Sequence, residues 1–356
     1  MGGKTGRKTG GATMTYKIAL AGASSLLGKE LKESLSESPF AGASFVLLDA
    51  KEAEGQLDQI GDEVTVVQAI ADNSFEHMDF TFFAGSRELT QRYWRQALSA
   101  GSTVLDLTGA LDAEPGVLVR SPWLNGAEAT PDLLTKAVVP ACAASLALAL
   151  ILDRLQEVAE VRFLAATVLQ PASEYGKEAL DELHQQTVSL LSFQTMPRAV
   201  YDTQAAYNTL ASFGEAATAS LSAEEARIRR HYAALAGERL PELRLQLIHA
   251  PVFHGHTFSI CIELAQAIPL ALLEDALGGE HLDLVLEETD SPSNLAAVGQ
   301  NDVLVWLKPE PPVSRMSGET SRFWLWAASD NLRLAAQNAV DCALDLRRLR
   351  PQGQVQ

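Results

Sequence analysis

The stretch that decides the fold is Lys17-Ile18-Ala19-Leu20-Ala21-Gly22-Ala23-Ser24-Ser25-Leu26-Leu27-Gly28. Its apolar start ends in a turn bounded by Gly22 and Gly28, and an amphipathic segment follows to about Leu35. This order predicts a strand, a tight turn and a helix, in which Gly28 permits close packing of the helix. Backbone N–H groups at the start of such a helix can face a pyrophosphate, although plain turns of this kind are also common.

The alternation of short strands and helices continues to about residue 140. Strands are predicted at Ser44 to Asp49, Asp79 to Ala84 and Ser102 to Leu107, with a helix from Arg87 to Ala100. Such alternation is typical of a parallel sheet. Asp49 ends the second strand, where an acid accepts hydrogen bonds from a ribose 2′-hydroxyl and repels a 2′-phosphate. We therefore predict a Rossmann-like NAD(P)-binding domain over residues 15–140, after a disordered leader over residues 1–14.

The second half of the chain has longer strands with fewer helices between them. This texture predicts an α+β domain with a mostly antiparallel sheet over residues 141–328, and a last helix over residues 329–350. The predicted helices are Cys142 to Leu155, Gly176 to Leu191 and Ala223 to Leu235. The predicted strands are Glu160 to Gln170, Leu243 to Val252, Thr257 to Leu264, Leu282 to Leu286, Val303 to Leu307 and Arg322 to Ala328.

Composition excludes several classes of protein. The chain has 356 residues, of which 47% are hydrophobic, and a formal net charge of −17, which argues against a nucleic-acid surface or an anionic membrane. It has no apolar run of membrane-spanning length. Three widely spread cysteines predict no disulfide framework and fit a reducing cytoplasm.

Cys142 is the candidate nucleophile. It follows Pro140 and opens an apolar helix, where the positive end of the helix dipole favours a thiolate and free N–H groups can stabilise an oxyanion. Taken alone, a cysteine among Ala and Leu residues is more often part of a core. We accept the core interpretation for Cys261 and Cys342.

His256 is the candidate acid/base. An imidazole near Cys142 can take the thiol proton and later return one to an oxygen. The same segment permits an alternative, because His249, His254 and His256 together could ligate zinc. No carboxylate or cysteine stands at ligand spacing nearby, so we predict no metal.

These pieces together resemble the aspartate-semialdehyde dehydrogenase family from about Tyr16 to Leu349. The motifs that carry the resemblance are the turn from Ala19 to Gly28, Gln170-Pro171-Ala172-Ser173-Glu174-Tyr175-Gly176-Lys177, Tyr207-Asn208, Pro251-Val252 through Gly255-His256, Leu325-Trp326, Asp330-Asn331-Leu332-Arg333 and Asn338-Ala339-Val340. The resemblance implies a homodimer or a dimer of dimers, formed through the second domain. It also implies that the last helix packs back on the nucleotide domain.

The resemblance further implies a reaction and the residues that perform it. A thiolate attacks an aldehyde, hydride passes to NAD or NADP, and phosphate releases the thioester as an acyl phosphate, or the sequence runs in reverse. Carried over by position, Cys142 is the nucleophile, His256 the acid/base, and Gln170 the residue that positions the thioester. The cofactor-binding residues are Gly22, Ser24, Ser25, Leu26, Gly28 and Asp49.

The departures from the family cluster where substrate charge should be neutralised. His249 stands where the family has an Arg that clamps the substrate carboxylate, and Asp112 falls at the place of a phosphate-binding Arg. A Glu expected in the charged helix falls near His231, while Arg227 can keep the role of a Lys. Ala141 replaces the Asn before the cysteine. We therefore predict His249, Arg227 and His231 as substrate-binding residues, with weakened grip on anions.

The sequence is compatible with three candidate functions. The first is an NAD(P)-dependent semialdehyde dehydrogenase, and the second is a nucleotide-binding homologue with impaired catalysis. An N-acyl-glutamyl-phosphate reductase ranks lower, because the Asp330 to Arg333 ending fits the aspartate branch better. For the cofactor, Asp49 and Glu52 favour NAD over NADP, because both would repel a 2′-phosphate.

Overall fold

The structure, a computed structural model, describes residues 16–124, 131–311 and 318–349. The leader predicted over residues 1–14 lies outside the described residues. The described chain forms two large sheets and a separate hairpin.

The first sheet is the predicted parallel sheet. Its seven strands lie in the order β5-β2-β1-β6-β7-β9-β8, and every pair is parallel. The elements of this half are β1 (Lys17–Ala21), α1 (Leu26–Ser36), β2 (Ser44–Asp49), β3 (Leu57–Ile60), β4 (Glu63–Val66), β5 (Gln68–Ala69), β6 (Phe80–Phe83), α2 (Arg87–Ser99), β7 (Thr103–Asp106), β8 (Leu118–Arg120) and β9 (Ala137–Pro140). The β3–β4 hairpin was not predicted, because its strands are short and mostly exposed.

The second sheet has six strands in the order β11-β10-β12-β15-β14-β13. Its central pairs are antiparallel and its two edge pairs are parallel, so the sheet is mixed. The elements are α3 (Ala143–Val158), β10 (Val161–Gln170), α4 (Lys177–Leu191), α5 (Leu221–Ala236), β11 (Arg244–His249), β12 (His256–Pro269), α6 (Leu270–Ala276), β13 (Leu282–Leu284), α7 (Asn294–Ala297), β14 (Val303–Pro309), β15 (Glu319–Ser329) and α8 (Asn331–Leu349).

Two helices join the sheets. Helix α3 is separated from the end of β9 by two residues and is almost wholly buried in the core of the second sheet, where it packs against α5. Helix α8 returns to the first sheet, as expected from the resemblance, and its Ala336, Ala339 and Ala343 pack in the same core as α1. Small side chains let α8 approach α1 closely. In the described part of the chain, none of the helices combines the length and apolarity of a membrane span.

Candidate active site

The nucleotide turn and the candidate nucleophile lie at one edge of the parallel sheet. Strands β1, β6, β7 and β9 are consecutive neighbours, so their carboxyl ends share an edge. Gly22 follows β1, while Cys142 follows β9 after one intervening residue. At a strand spacing of about 4.8 Å, the two strand ends are roughly 14 Å apart. Ligands of open parallel sheets bind at this edge.

The turn after β1 is built for close backbone approach. Gly22 has φ +89°, and a Cβ there would meet the backbone N of Gly85 at 2.2 Å. A Cβ on Gly28 would meet the carbonyl oxygen of Gly22 at the same distance. Ser25 caps α1: its hydroxyl accepts the N–H of Gly28 at 2.8 Å and donates to the carbonyl of Ala84 at 2.7 Å. Leu26 begins the helix.

The turn fits a dinucleotide. Ser24 Oγ is buried and has no hydrogen-bond partner in the described residues, so a polar atom faces the turn unsatisfied. Asp49 ends β2 and accepts the N–H of Ser24 through Oδ2 at 2.8 Å, which ties the second strand to the turn. Its Oδ1 accepts the N–H of Ala50. The turn and the N-terminus of α1 would hold the pyrophosphate, with Asp49 beside the ribose.

Cys142 was predicted as the first residue of the helix. In the structure it is the N-cap, and α3 begins one residue later, at Ala143. Its thiol lies 3.2 Å from Ser145 Oγ, one turn along the helix, and its side chain is buried with 6% exposure. Burial raises the pKa of the thiol, but the charges of His231 and Arg227 and the contact with Ser145 outweigh burial and lower the pKa below its ordinary value.

The imidazole that contacts the Cys142 residue is His231, from α5. The backbone N–H of Cys142 donates to His231 Nδ1 at 3.0 Å. On the other side of the ring, Nε2 lies 3.1 Å from Oδ1 of Asp112. Burial lowers the pKa of His231, but the charge of Cys142 and the contact with Asp112 raise it above its ordinary value overall. His231 was predicted to bind substrate, and the structure puts it between the cysteine and a buried acid.

Asp112 lies after β7, at the place where the family resemblance implies a phosphate-binding Arg. Its carboxylate is surrounded by basic side chains of α5. Its side chain is 3% exposed and lies 2.7 Å from Arg230 and 3.5 Å from Arg227 Nε. Burial raises its pKa, but His231 and Arg227 hold the pKa well below the usual range. The carboxylate is therefore ionised, and its charge is matched by side chains of α5.

Arg227, predicted to bind substrate, lies within ion-pair distance of two acids, although its buried Nε has no hydrogen-bond partner in the described residues. Besides Asp112 it faces Glu224, 3.7 Å away and one helical turn earlier, and donates to the carbonyl of Leu107 at 3.3 Å. Gly109 makes room for the guanidinium, because a Cβ there would lie 2.7 Å from Arg227 Nε. Burial raises the pKa of Glu224. Glu224 is thus an acid of the charged helix that lies beside Arg227, seven residues before His231.

His256 begins β12 beside Glu174. Its Nε2 lies 3.6 Å from Glu174 Oε2, and neither ring nitrogen has a hydrogen-bond partner in the part of the chain that the structure describes. Burial lowers the pKa of His256 to about 4. The ring is therefore neutral at pH 7 and not hydrogen-bonded to the Cys142 thiol. Its acid/base role stays a prediction.

Two other predicted residues lie at the carboxyl ends of β10 and β11, which pair Gln170 with His249. Gln170 accepts the hydroxyl of Tyr175 at 2.8 Å. His249 packs against Tyr201 and Phe213, with ring centroids 5.0 and 5.3 Å away, and burial lowers its pKa to about 4. His249 therefore carries no charge at pH 7, in contrast to the Arg that the family resemblance implies at this place.

Helix α8 connects the cysteine segment with the histidine segment. Asn338 donates to the carbonyl of Ala141 at 3.2 Å, directly before Cys142. Asn331 accepts the N–H of Gly255, directly before His256, and donates to Glu174. The two asparagines are two helical turns apart, or about 10 Å along the axis. The helix therefore sets both segments in one region of the molecule.

Several residues of this region were not predicted as site residues. They are Asp112 as a partner of His231, Ser145, Glu174, Glu224, Asn331 and Asn338. The spacing of Glu224 and Arg227 on one helical face was a usable signal. In residues 16–124, 131–311 and 318–349, no three His, Cys, Asp or Glu side chains form a group that could hold a metal ion.

Two family models cover most of the chain. The NAD-binding domain of semialdehyde dehydrogenases matches residues 17–143, and the dimerisation domain matches residues 152–334. A USG-1 protein homolog from Pseudomonas aeruginosa is 30% identical over 91% of this chain and 95% of its own. An aspartate-semialdehyde dehydrogenase from Rickettsia bellii is 25% identical over 94% of this chain and 98% of its own. The solved structure of a probable aspartate-semialdehyde dehydrogenase from Pseudomonas aeruginosa superposes with a TM-score of 0.81 and 29% identity, covering 94% and 99% of the two chains.

Proposed function

Because the chain belongs to the semialdehyde dehydrogenase family, we propose that it oxidises a short semialdehyde with NAD(P), through a thioester on Cys142. One observation carries the proposal. Cys142 caps a buried helix at the same sheet edge as the nucleotide turn, with a thiol whose pKa is lowered by His231 and Arg227. A thiolate beside a cofactor site is what aldehyde oxidation by a cysteine requires.

The residues of the chain divide the chemistry between them. The thiolate of Cys142 adds to the aldehyde carbon, and N–H groups in the first turn of α3 stabilise the oxygen that becomes negative. Bound nicotinamide would supply the acceptor for the hydride. Gln170 and His256 are proposed to orient the thioester and to move a proton at its oxygen.

The part of the substrate that lies near Arg227 and His249 is proposed to carry little negative charge. Arg227 is the buried cation there, and it faces Asp112 and Glu224. His249 is neutral at pH 7. A phosphate or carboxylate would compete with carboxylates already in place, so a less anionic short aldehyde is to be tested beside aspartate semialdehyde, the substrate of the family.

Turnover is the direct test. Purified protein is mixed with aspartate semialdehyde or a neutral short aldehyde, NAD or NADP, with and without phosphate, and the reduced nucleotide is followed at 340 nm, the usual absorbance of that product. We expect turnover that Cys142→Ser abolishes and that Cys261→Ser, a cysteine on the second sheet, leaves intact. Absence of turnover with every aldehyde, or full activity of Cys142→Ser, would contradict the proposal.

Cofactor preference is proposed to favour NAD, because Asp49 and the exposed Glu52 lie where a 2′-phosphate would be repelled. In the same preparations, thermal stabilisation by NAD should exceed that by NADP at equal concentration. The reverse order would contradict this preference without touching the role of Cys142.

A second candidate function has one observation in its favour. Asp112 and Glu224 already occupy the buried Arg227, which favours a homologue that binds nucleotide but turns over poorly. This candidate predicts stabilisation by NAD without reduced nucleotide in any assay. It also predicts a Cys142 that reacts with iodoacetamide no faster than an ordinary thiol at pH 7.

The assembly is proposed to be a homodimer in the cytoplasm. The chain carries the dimerisation domain of the family over residues 152–334. Large apolar side chains are exposed on this half of the single chain, among them Leu191 at the end of α4, Phe193 just after it and Trp324 in β15. A partner subunit would remove such side chains from water.

A further inference from the structure

A cavity of about 530 Å³ lies where α1 and α8 meet the loops before β13 and β14. That volume falls in the range of small-molecule sites. None of the predicted catalytic, cofactor-binding or substrate-binding residues lines it. Its wall on α1 begins at Ser34, about 12 Å along the helix from the nucleotide turn. We propose that this cavity binds a small aliphatic di- or polyamine.

The wall of the cavity is negatively charged. Its acids are Glu37, Glu280, Asp302 and Asp341, and in the described part of the chain no Lys or Arg lines it. Glu37 pairs with Arg333 at 3.0 Å. For the other three acids, the described residues provide no ion pair with a Lys or Arg, so their charges are left for a cation to match.

An aromatic pair forms another part of the wall. The rings of Trp123 and His281 stack with centroids 3.8 Å apart and an interplanar angle of 14°. The indole N–H donates to Asp341 Oδ2 at 2.7 Å, which holds the pair beside an acid. Burial lowers the pKa of His281, so its ring is neutral at pH 7 and adds no positive charge. With Val340 and Leu344 of α8, the pair offers apolar surface to an alkyl chain.

Ser34 is an independent indication of a polar ligand. It lines the cavity from the last turn of α1, and it is 7% exposed. Its Oγ has no hydrogen-bond partner in the residues that the structure describes. Native proteins rarely keep a buried hydroxyl unpartnered, because its desolvation is not compensated. An ammonium group in the cavity would donate a hydrogen bond to this oxygen.

The chemistry of the wall selects an amine over other ligands. A carboxylate or phosphate would be repelled by the acids. A metal ion needs several converging ligands, and no three His, Cys, Asp or Glu side chains form such a group in residues 16–124, 131–311 and 318–349. An ammonium group has three donors and no acceptor, which suits carboxylates and a hydroxyl. Two ammonium groups joined by an alkyl chain match both the separated acids and the apolar surface between them.

A ligand in this cavity would contact both halves of the chain. Ser34 belongs to a helix of the first half, while His281 and Asp302 precede strands of the second sheet. Gln337 and Asp341 lie on α8, which links the halves. Because a bound amine would favour the folded state with these parts in contact, it should raise the melting temperature.

The test is isothermal titration of the full chain with 1,4-diaminobutane, without nucleotide or aldehyde. We expect saturable binding of one diamine per chain and a rise in melting temperature. The uncharged analogue 1,4-butanediol should produce neither effect, and sodium chloride at the same ionic strength controls for screening. Failure of the diamine to bind at millimolar concentration, or equal binding of the diol, would overturn the proposal.

Two variants and a matched control locate the binding. Asp341→Asn keeps an acceptor for Trp123 and removes one charge, so it should weaken diamine binding about 10-fold. Ser34→Ala should also weaken binding, while the ligand-free variant melts no lower than the wild type because an unpartnered hydroxyl is lost.

Asp181→Asn, on the exposed face of α4, removes the same charge outside the cavity and should bind like the wild type. Equal affinities of Asp341→Asn and Asp181→Asn would show that the amine only screens an acidic chain, and the site would be rejected. Wild-type affinity in Ser34→Ala would reject the contact with its hydroxyl. All of these readouts are independent of aldehyde oxidation.

Discussion

At the scale of single residues, burial and charge act in opposite directions around Cys142. Burial disfavours every ion in this region, and it raises the pKa of Glu174 and Glu224 as expected. Cys142 departs from that trend because His231 and Arg227 are close enough to stabilise the thiolate. Cys342 is also buried, and its pKa is raised. The neighbouring charges, and not burial, therefore distinguish the thiol of Cys142 from that of Cys342.

His249 provides a pH prediction at this scale. Its folded-state pKa of about 4 lies below the ordinary value of 6.5, so the unfolded chain takes up the proton first as pH falls. The stabilising effect of the neutral ring is full above pH 6.5 and is lost progressively between pH 6.5 and 4. It amounts to about 3 kcal/mol at most.

We expect His249→Phe, which keeps a ring against Tyr201 and Phe213, to flatten the fall in unfolding free energy between pH 7 and 4. Urea unfolding at several pH values measures this. His184→Phe, on the exposed face of α4, is the control and should keep the wild-type slope. An unchanged slope in His249→Phe would contradict the assignment.

At the scale of elements, α8 links the two halves. Its Arg333 contacts Glu30 and Glu37 of the α1 region, and its asparagines hold the segments before Cys142 and His256. The ion pairs of Arg333 are partly exposed, so they contribute modestly. The buried asparagine contacts matter more, because a buried carbonyl without a donor is costly.

Asn338→Ala should therefore destabilise the protein by about 1–3 kcal/mol, because the buried carbonyl of Ala141 loses its donor. Gln337→Ala, at the half-buried neighbouring position, is the matched control and should stay within about 0.5 kcal/mol of the wild type. Chemical denaturation followed by circular dichroism gives both values. Equal stability of the two variants would show that the Asn338 contact carries no weight.

At the scale of the whole molecule, the candidate site lies at the edge of a parallel sheet, and a mixed sheet forms the half of the chain that matches the dimerisation domain of the family. Cys142 stands at the junction, since β9 is the last strand of the first sheet along the chain and α3 belongs to the core of the second sheet. Motion of one half against the other would change the position of the thiol relative to the nucleotide turn. Helix α8 spans this junction, because it contacts α1 and β9 of the first half and α3 of the second.

The assembly itself is testable. We expect light scattering after size exclusion to give twice the mass of one chain at micromolar concentration, because the second half carries a dimerisation domain and exposed apolar side chains. Dilution to nanomolar concentration reports how tightly the subunits associate. A single-chain mass at micromolar concentration would contradict the dimer.

Much of this protein is determined by its sequence alone. The positions of the main strands and helices follow from local hydrophobic periodicity, and the structure confirms β2 at Ser44–Asp49 and α4 to Leu191 as predicted. The turn at Gly22 is equally local, because only glycine tolerates its φ and the contact with Gly85. Motif order along the chain was enough for the family, which the comparisons confirm.

The sequence did not show which histidine side chain contacts Cys142, and only the tertiary structure identifies it as His231. Cys142 and His231 are 89 residues apart in the chain, and their contact depends on how α5 packs against α3. The sequence indicated only that Asp112 stands where the family has a phosphate-binding Arg. The packing of α5 places the Asp112 carboxylate 3.1 Å from His231 Nε2. Periodicity reports which side of a helix is buried, but it carries no information on what that side faces, because long-range contacts are selected by the packing of the whole chain.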